Sequence, residues 1–186
     1  NVDGVLLPKA EQPSDIDRLT AARADMQIYP LIETARGLWD VLSIAQVHGV
    51  RALLFGSLDF QADLGILDDD LVYARSQLVV ASRVAGIAPP IDGVTQAIDD
   101  AELLRRDCAR ARQLGFAGKA CIHPAQVDVV NASFAPTAAE VEWAESIVAA
   151  FAQAAGGAVR VEGRMVDRPV LLKAQAMLAE RPPQRN

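Results

Sequence analysis

The sequence predicts an α/β fold built on a parallel sheet. Short apolar runs alternate with amphipathic helical stretches along the chain, and the runs are continuously apolar, as in strands buried on both faces. Charged and polar residues collect just past each run, where parallel α/β folds carry their chemistry.

The elements follow in order. The chain opens Asn1-Val2-Asp3-Gly4, with no initiator Met, and enters the run Val5-Leu6-Leu7-Pro8 at once. Such a start reads as the middle of a longer domain. The second run is Ile28 to Ile32 and the third Ala52 to Gly56. The fourth, Gly86 to Ile91, is weakened by Pro89 and Pro90, and the fifth is Lys119 to His123. Between them, Ser14 can cap a helix with Asp17 in its first turn. Thr34 can cap the next, which runs to about His48 and stops at Gly49. Residues 71–85 give a helix with Leu71, Leu78, Val79, Ser82 and Val84 on its inner face. Residues 99–114 give another, closed by Gly115. The clearest helix starts at Thr137, whose capping box with Glu140 precedes Val141, Ala144, Ile147, Val148 and Phe151 at helical spacing. Gly156 and Gly157 end it.

Five strand-helix units thus fill residues 1–135, whereas a complete (β/α)8 barrel takes about 250 residues. The expected architecture is the C-terminal part of a TIM barrel, equivalent to strands four to eight. Residues 136–180 form a helical arm or lid, and residues 181–186 a loose tail.

Composition narrows the function. Of the 186 residues, 51% are hydrophobic and 23% charged, as in an ordinary globular chain rather than a disordered one. A net charge of −6 argues against nucleic-acid and anionic-membrane partners, which need clustered Lys and Arg. Cys108 and Cys121 are too few for a disulfide framework or zinc motif, and no apolar run approaches membrane-spanning length. The chain reads as cytoplasmic. With only His48 and His123, a histidine-rich metal site is excluded.

Past the strands lie Lys9 and Glu11; Glu33, Thr34 and Arg36; Ser57, Asp59 and Asp63; Asp92 and Thr95; and His123 and Gln126. Glu33 and Asp59 stand out, because each follows an apolar run where a charge is costly unless solvated or paired. Adjacent strands would bring both to one rim, as a site for a hard cation such as Mg²⁺. Gly56 would let a substrate approach the backbone. The other reading is that both carboxylates cap helices or pair with Arg36 and Lys9. Asp68-Asp69-Asp70 is read as the acidic first turn of a helix rather than a calcium loop. Cys121 is read as a small core residue.

These residues carry a resemblance. Leu7-Pro8-Lys9-Ala10-Glu11, Pro30-Leu31-Ile32-Glu33-Thr34-Ala35-Arg36-Gly37 and Phe55-Gly56-Ser57-Leu58-Asp59-Phe60 resemble segments of the citrate lyase beta-subunit and malyl-CoA lyase family, within the HpcH/HpaI aldolases. So do Asp63-Leu64-Gly65, Gly115-Phe116-Ala117-Gly118-Lys119 through Ile122-His123-Pro124-Ala125-Gln126, Phe134-Ala135-Pro136-Thr137, and Gly163-Arg164-Met165-Val166-Asp167-Arg168-Pro169. They come in the family's order and spacing across nearly the whole chain.

The resemblance implies that Glu33 and Asp59 are the two Mg²⁺ ligands, with Mn²⁺ as a substitute. It implies that Asp167 acts in proton transfer from a segment reaching over a neighbouring subunit's site, and that His123 lies near CoA. Gly56, Ser57 and Arg36 are candidates for holding the substrate, with Arg36 equally readable as a solvated first-turn residue and His123 as a strand-end cap. Lys9 and Glu11 read as a pair that orients Glu33. The implied reaction is cleavage or formation of a 3-hydroxyacyl-CoA thioester of malyl or citryl type, from an oxo acid and an acyl-CoA. The implied assembly is a homotrimer or hexamer. Two alternatives stay open: a metal-dependent aldolase of free 2-oxo acids, and a non-catalytic accessory subunit. The family's first three strands, with their substrate-holding Arg, are not part of this sequence.

Overall fold

Strand β1 (Gly4–Leu7) begins a parallel sheet in which every strand lies beside its neighbour in sequence. The computed structural model describes residues 3–67, 71–153, 159–161 and 164–179. The acidic triplet Asp68 to Asp70, the helix-ending Gly156 and Gly157, Gly163 and the tail 181–186 lie outside the described residues.

After β1 come β2 (Gln27–Ile32), β3 (Leu54–Phe55), β4 (Ile91–Asp92) and β5 (Gly118–Lys119), in the spatial order β1-β2-β3-β4-β5. Register runs Val5 beside Ile28, Ile32 beside Phe55, Leu54 beside Ile91 and Asp92 beside Lys119. The strand ends therefore line up, and the loops beyond them share one rim. Helices α1 (Pro13–Ala22), α2 (Ala35–Trp39), α3 (Val41–Ala45), α4 (Ser57–Leu64), α5 (Val72–Ala85), α6 (Ala101–Leu114) and α7 (Val127–Phe134) connect and cover the strands. Ile16, Ile28, Ile32, Ile44, Leu53, Phe55 and Leu78 form the core between sheet and helices. α5 and α6 stop at Gly86 and Gly115, both in the left-handed conformation that glycine adopts without steric cost.

Five expectations shift. α1 is capped at Gln12 rather than Ser14, because Pro13 takes the first helical position, where its missing N–H costs nothing. The Gln12 amide donates to Asp15 Oδ2 at 3.2 Å. The helix capped by Thr34 breaks at Asp40, whose φ of −96° and ψ of 10° separate α2 from α3. On α5 the buried face holds Ala74, Arg75, Leu78, Ala81 and Ser82, while Val84 is exposed; small residues let α5 sit closely on α3. β5 ends at Lys119, four residues before His123, because the chain turns into a loop pinned by buried Gln126. Gln126 Oε1 accepts from the Ile122 amide at 3.0 Å, and its amide group donates to Thr95 O at 2.9 Å. Cys121, expected inside that strand, is exposed.

The chain divides into two compact units, Asn1–Phe134 and Ala135–Asn186. The second contains α8 (Ala138–Gln153), an antiparallel hairpin of β6 (Val159–Val161) and β7 (Arg164–Val166), and α9 (Arg168–Ala179). Ala144, Ile147, Val166 and Ala174 make its core. The Thr137 capping box forms as expected: its amide donates to Glu140 Oε2 at 2.8 Å, and the Glu140 amide donates to Thr137 Oγ1 at 3.2 Å. Among the described residues no helix is long and apolar enough to cross a membrane.

Candidate metal and substrate site

Glu33 follows β2 directly and is 95% buried, being only 5% exposed. A carboxylate so placed needs partners. The Lys9 amide, just past β1, donates to Glu33 Oε1 at 2.8 Å. On the other side lies Gly56, whose amide bonds Ile32 O at 2.9 Å. A side chain there would meet Glu33 Cβ at 2.5 Å and Oε2 at 2.8 Å, so only glycine leaves the carboxylate room. Gly56 caps α4, whose first turn carries the exposed Asp59 near enough for its carboxyl to act on Glu33.

Two carboxyl groups so close repel when both are ionised. Burial pushes the Glu33 carboxyl above its ordinary value, and the charge and side chain of Asp59 push it further. The Lys9 amide and ammonium oppose them. A divalent cation between the carboxylates would relieve this repulsion, and oxygen-only donors suit a hard ion. The residues present therefore fit magnesium. Among the described residues no group of three or more His, Cys, Asp or Glu side chains is placed to hold a metal, so water or substrate oxygens would complete the shell.

The surrounding loops are tied down. Thr34 Oγ1 accepts from the Gly37 amide at 3.1 Å and donates to Glu11 Oε1 at 3.0 Å. Glu11 thus anchors Thr34 instead of pairing with Lys9 to orient Glu33; the Lys9 backbone does the orienting. Asp63 Oδ2 accepts from the Ala35 amide at 2.7 Å, linking α4 to the start of α2. Ser57 opens α4 above Gly93, where an added Cβ would lie 2.6 Å from Ser57 Oγ.

The remaining candidates are exposed side chains. Arg36 is exposed and pairs with Asp40 Oδ2 at 3.0 Å. His123 is exposed and caps the short 3₁₀ turn Pro124–Gln126, its Nδ1 accepting from the Ala125 amide at 3.2 Å. Asp167 belongs to the second unit, exposed between β7 and α9, with its carbonyl accepting from the Leu171 amide at 3.1 Å.

The sequence reading missed a buried charge network. Asp92, fully buried at the end of β4, accepts from Arg75 Nε at 3.0 Å and from Lys119 Nζ at 3.3 Å. Lys119 also donates to Gly93 O at 2.6 Å, and the Arg75 guanidinium stacks 5.4 Å over the Phe55 ring. The signal was present: Leu71, Arg75, Leu78 and Ser82 share one helical face, and an Arg on a buried stripe asks for a carboxylate.

Comparison with known proteins defines the class. A family described as carbon–carbon bond lyase of the TIM-barrel fold matches residues 71–178. The HpcH/HpaI aldolase/citrate lyase family matches residues 1–124, and the chain belongs to it. A citrate lyase subunit beta-like protein of Deinococcus radiodurans is 37% identical over 96% of this chain and 66% of its own length. A (3S)-malyl-CoA thioesterase of Cereibacter sphaeroides is 33% identical, over 96% of this chain and 67% of its own. The structure of CitE from Mycobacterium tuberculosis, in complex with magnesium, acetoacetate and coenzyme A, superposes with a TM-score of 0.84 at 32% identity. That match covers 96% of this chain and 68% of CitE. The chain thus spans about two thirds of the length of such relatives.

Proposed function

We propose that this chain is the larger part of a cytoplasmic, magnesium-dependent carbon–carbon lyase or synthase. It would cleave or form a 3-hydroxyacyl-CoA thioester of malyl or citryl type. The observation that carries the proposal is the buried Glu33 apposed to Asp59 at the strand-end rim. Family membership and the magnesium and coenzyme A bound to CitE support it.

Glu33 and Asp59 would hold the ion, which when bound acts as a Lewis acid and template for an oxo acid. The absence of a side chain at Gly56 keeps the rim open beside these carboxylates, and Ser57 at the start of α4 offers a hydroxyl and an amide to a substrate carboxylate. Asp167 would exchange the proton at the carbon next to the thioester. In this scheme it serves a neighbouring copy in a trimer or hexamer. His123, with Nδ1 engaged by Ala125, keeps Nε2 for the CoA moiety. Arg36 would leave Asp40 to join a substrate carboxylate.

The test uses the full-length protein with acetyl- or propionyl-CoA and glyoxylate, following the condensed thioester and free thiol separately. Condensation that needs Mg²⁺ and falls about 100-fold or more in Glu33→Gln is the expected result, since a lost Lewis-acid site removes several kcal/mol. Turnover only of free 2-oxo-acid aldols would replace the proposal with an aldolase. Magnesium binding without turnover of either would favour the accessory subunit. Thiol release from malyl-CoA, without cleavage, would instead match the activity named for the Cereibacter relative.

A further inference from the structure

Lys9 is the only non-glycine among the described residues with a positive φ, at 48°. For an L-residue with a Cβ this left-handed conformation is disfavoured, and it persists where neighbours over-determine the backbone. The neighbours here do so. The Ala10 amide bonds Leu31 O at 3.2 Å. The Ala10 carbonyl lies 2.5 Å from where a Cβ on Gly37 would stand, so α2 closes directly over it. Glu11 is bound to Thr34 at 3.0 Å. Between these anchors and β1 the chain must turn, and the turn aims the Lys9 amide at Glu33 Oε1, 2.8 Å away. The Lys9 side chain is exposed.

We infer that Lys9 is a positioning residue that acts through its backbone: its left-handed turn occupies Glu33 Oε1 and leaves Oε2, on the Gly56 side, as the oxygen offered to a cation shared with Asp59. The inference rests on the magnesium reading of Glu33 and Asp59 and adds to it a residue that touches neither metal nor substrate.

The experiment measures Mg²⁺ affinity calorimetrically on the full-length protein. Lys9→Gly and Lys9→Asn remove the ammonium but accept a left-handed backbone, whereas Lys9→Val resists it. The expected pattern is retained affinity in the Gly and Asn variants and a loss of about 10–100-fold in Val, as for other groups that orient a metal ligand. Equal losses in all three would assign the effect to the ammonium and overturn the inference, as would an unaffected Val variant. A second readout needs neither metal nor a folded Val variant: the ¹⁵N-lysine amide signal of Lys9 in the metal-free protein. It should move when Glu33 is replaced by Gln, and an unmoved signal overturns the inference. Absence of Mg²⁺ binding by the unsubstituted protein, with the amide signal still coupled to Glu33, would instead sink the metal reading alone.

Discussion

Glu33 illustrates how one side chain is shaped by two segments distant from it in sequence: the turn that presents the Lys9 amide, and the start of α4 with the bare Gly56 backbone and the Asp59 carboxyl. Its raised pKa, caused first by burial, has a definite consequence for stability without metal. A carboxyl whose folded pKa lies above its unfolded one contributes stability below the unfolded value and loses it as pH rises through the folded value. The metal-free protein therefore loses that contribution as pH rises. Glu33→Gln stays neutral at every pH and can still accept the Lys9 amide. Without metal it should melt at or above the unsubstituted protein's temperature at pH 7, and the gap should close on acidification. Magnesium should then raise the melting temperature of the unsubstituted protein and not of the variant. Calorimetric scans from pH 4 to 8 would refute this if the variant were the less stable one at neutral pH. The Glu33–Asp59 pairing was legible in the sequence, since both follow apolar runs that had to be adjacent strands. The role of Lys9 was not, because a positive φ on a lysine leaves no mark in composition or spacing.

At the scale of elements, local chemistry was readable where it decided the outcome. Thr34 caps α2, and Thr137 with Glu140 starts α8, because a short polar side chain satisfying an orphan amide acts within one turn. Thr137→Ala should cost the second unit about 1 kcal/mol, seen as a lower unfolding midpoint. An unchanged midpoint would mean that this unit's stability comes from its core alone. Elements fixed by distant partners were harder to read. β5 stops at Lys119 because Asp92, 27 residues back, draws in the ammonium, while Gln126, held by Thr95 O from 31 residues away, recaptures the Ile122 amide. Helix α4 lacked a strong start signal. α4 begins at a glycine with no capping side chain.

Beside its apolar core the first unit holds the buried Asp92 network. One buried carboxylate joins α5, β4 and β5 through Arg75 and Lys119. Breaking a buried pair from one side strands the opposite charge, at a cost of about 3–5 kcal/mol. Asp92→Asn removes the carboxylate that Arg75 and Lys119 share and should cost several kcal/mol in denaturant unfolding of the full-length protein, against a fraction of it for the exposed Arg36–Asp40 pair. A loss under 1 kcal/mol would show that water already reaches Arg75 and Lys119. The fold class followed from the apolar runs because strands of a parallel sheet covered by helices are continuously apolar; the network escaped because it is three residues on three elements. The strand order has a consequence for assembly in time. Every strand pairs with the one synthesised just before it, across a single intervening connection. Among the described strands β1 to β5 no pairing has to wait for a distant segment, so each loop closed there is of modest length and its entropic cost is met one connection at a time. A chain leaving the ribosome can add β2 to β1, then β3, β4 and β5, each new strand covering the edge exposed by the last.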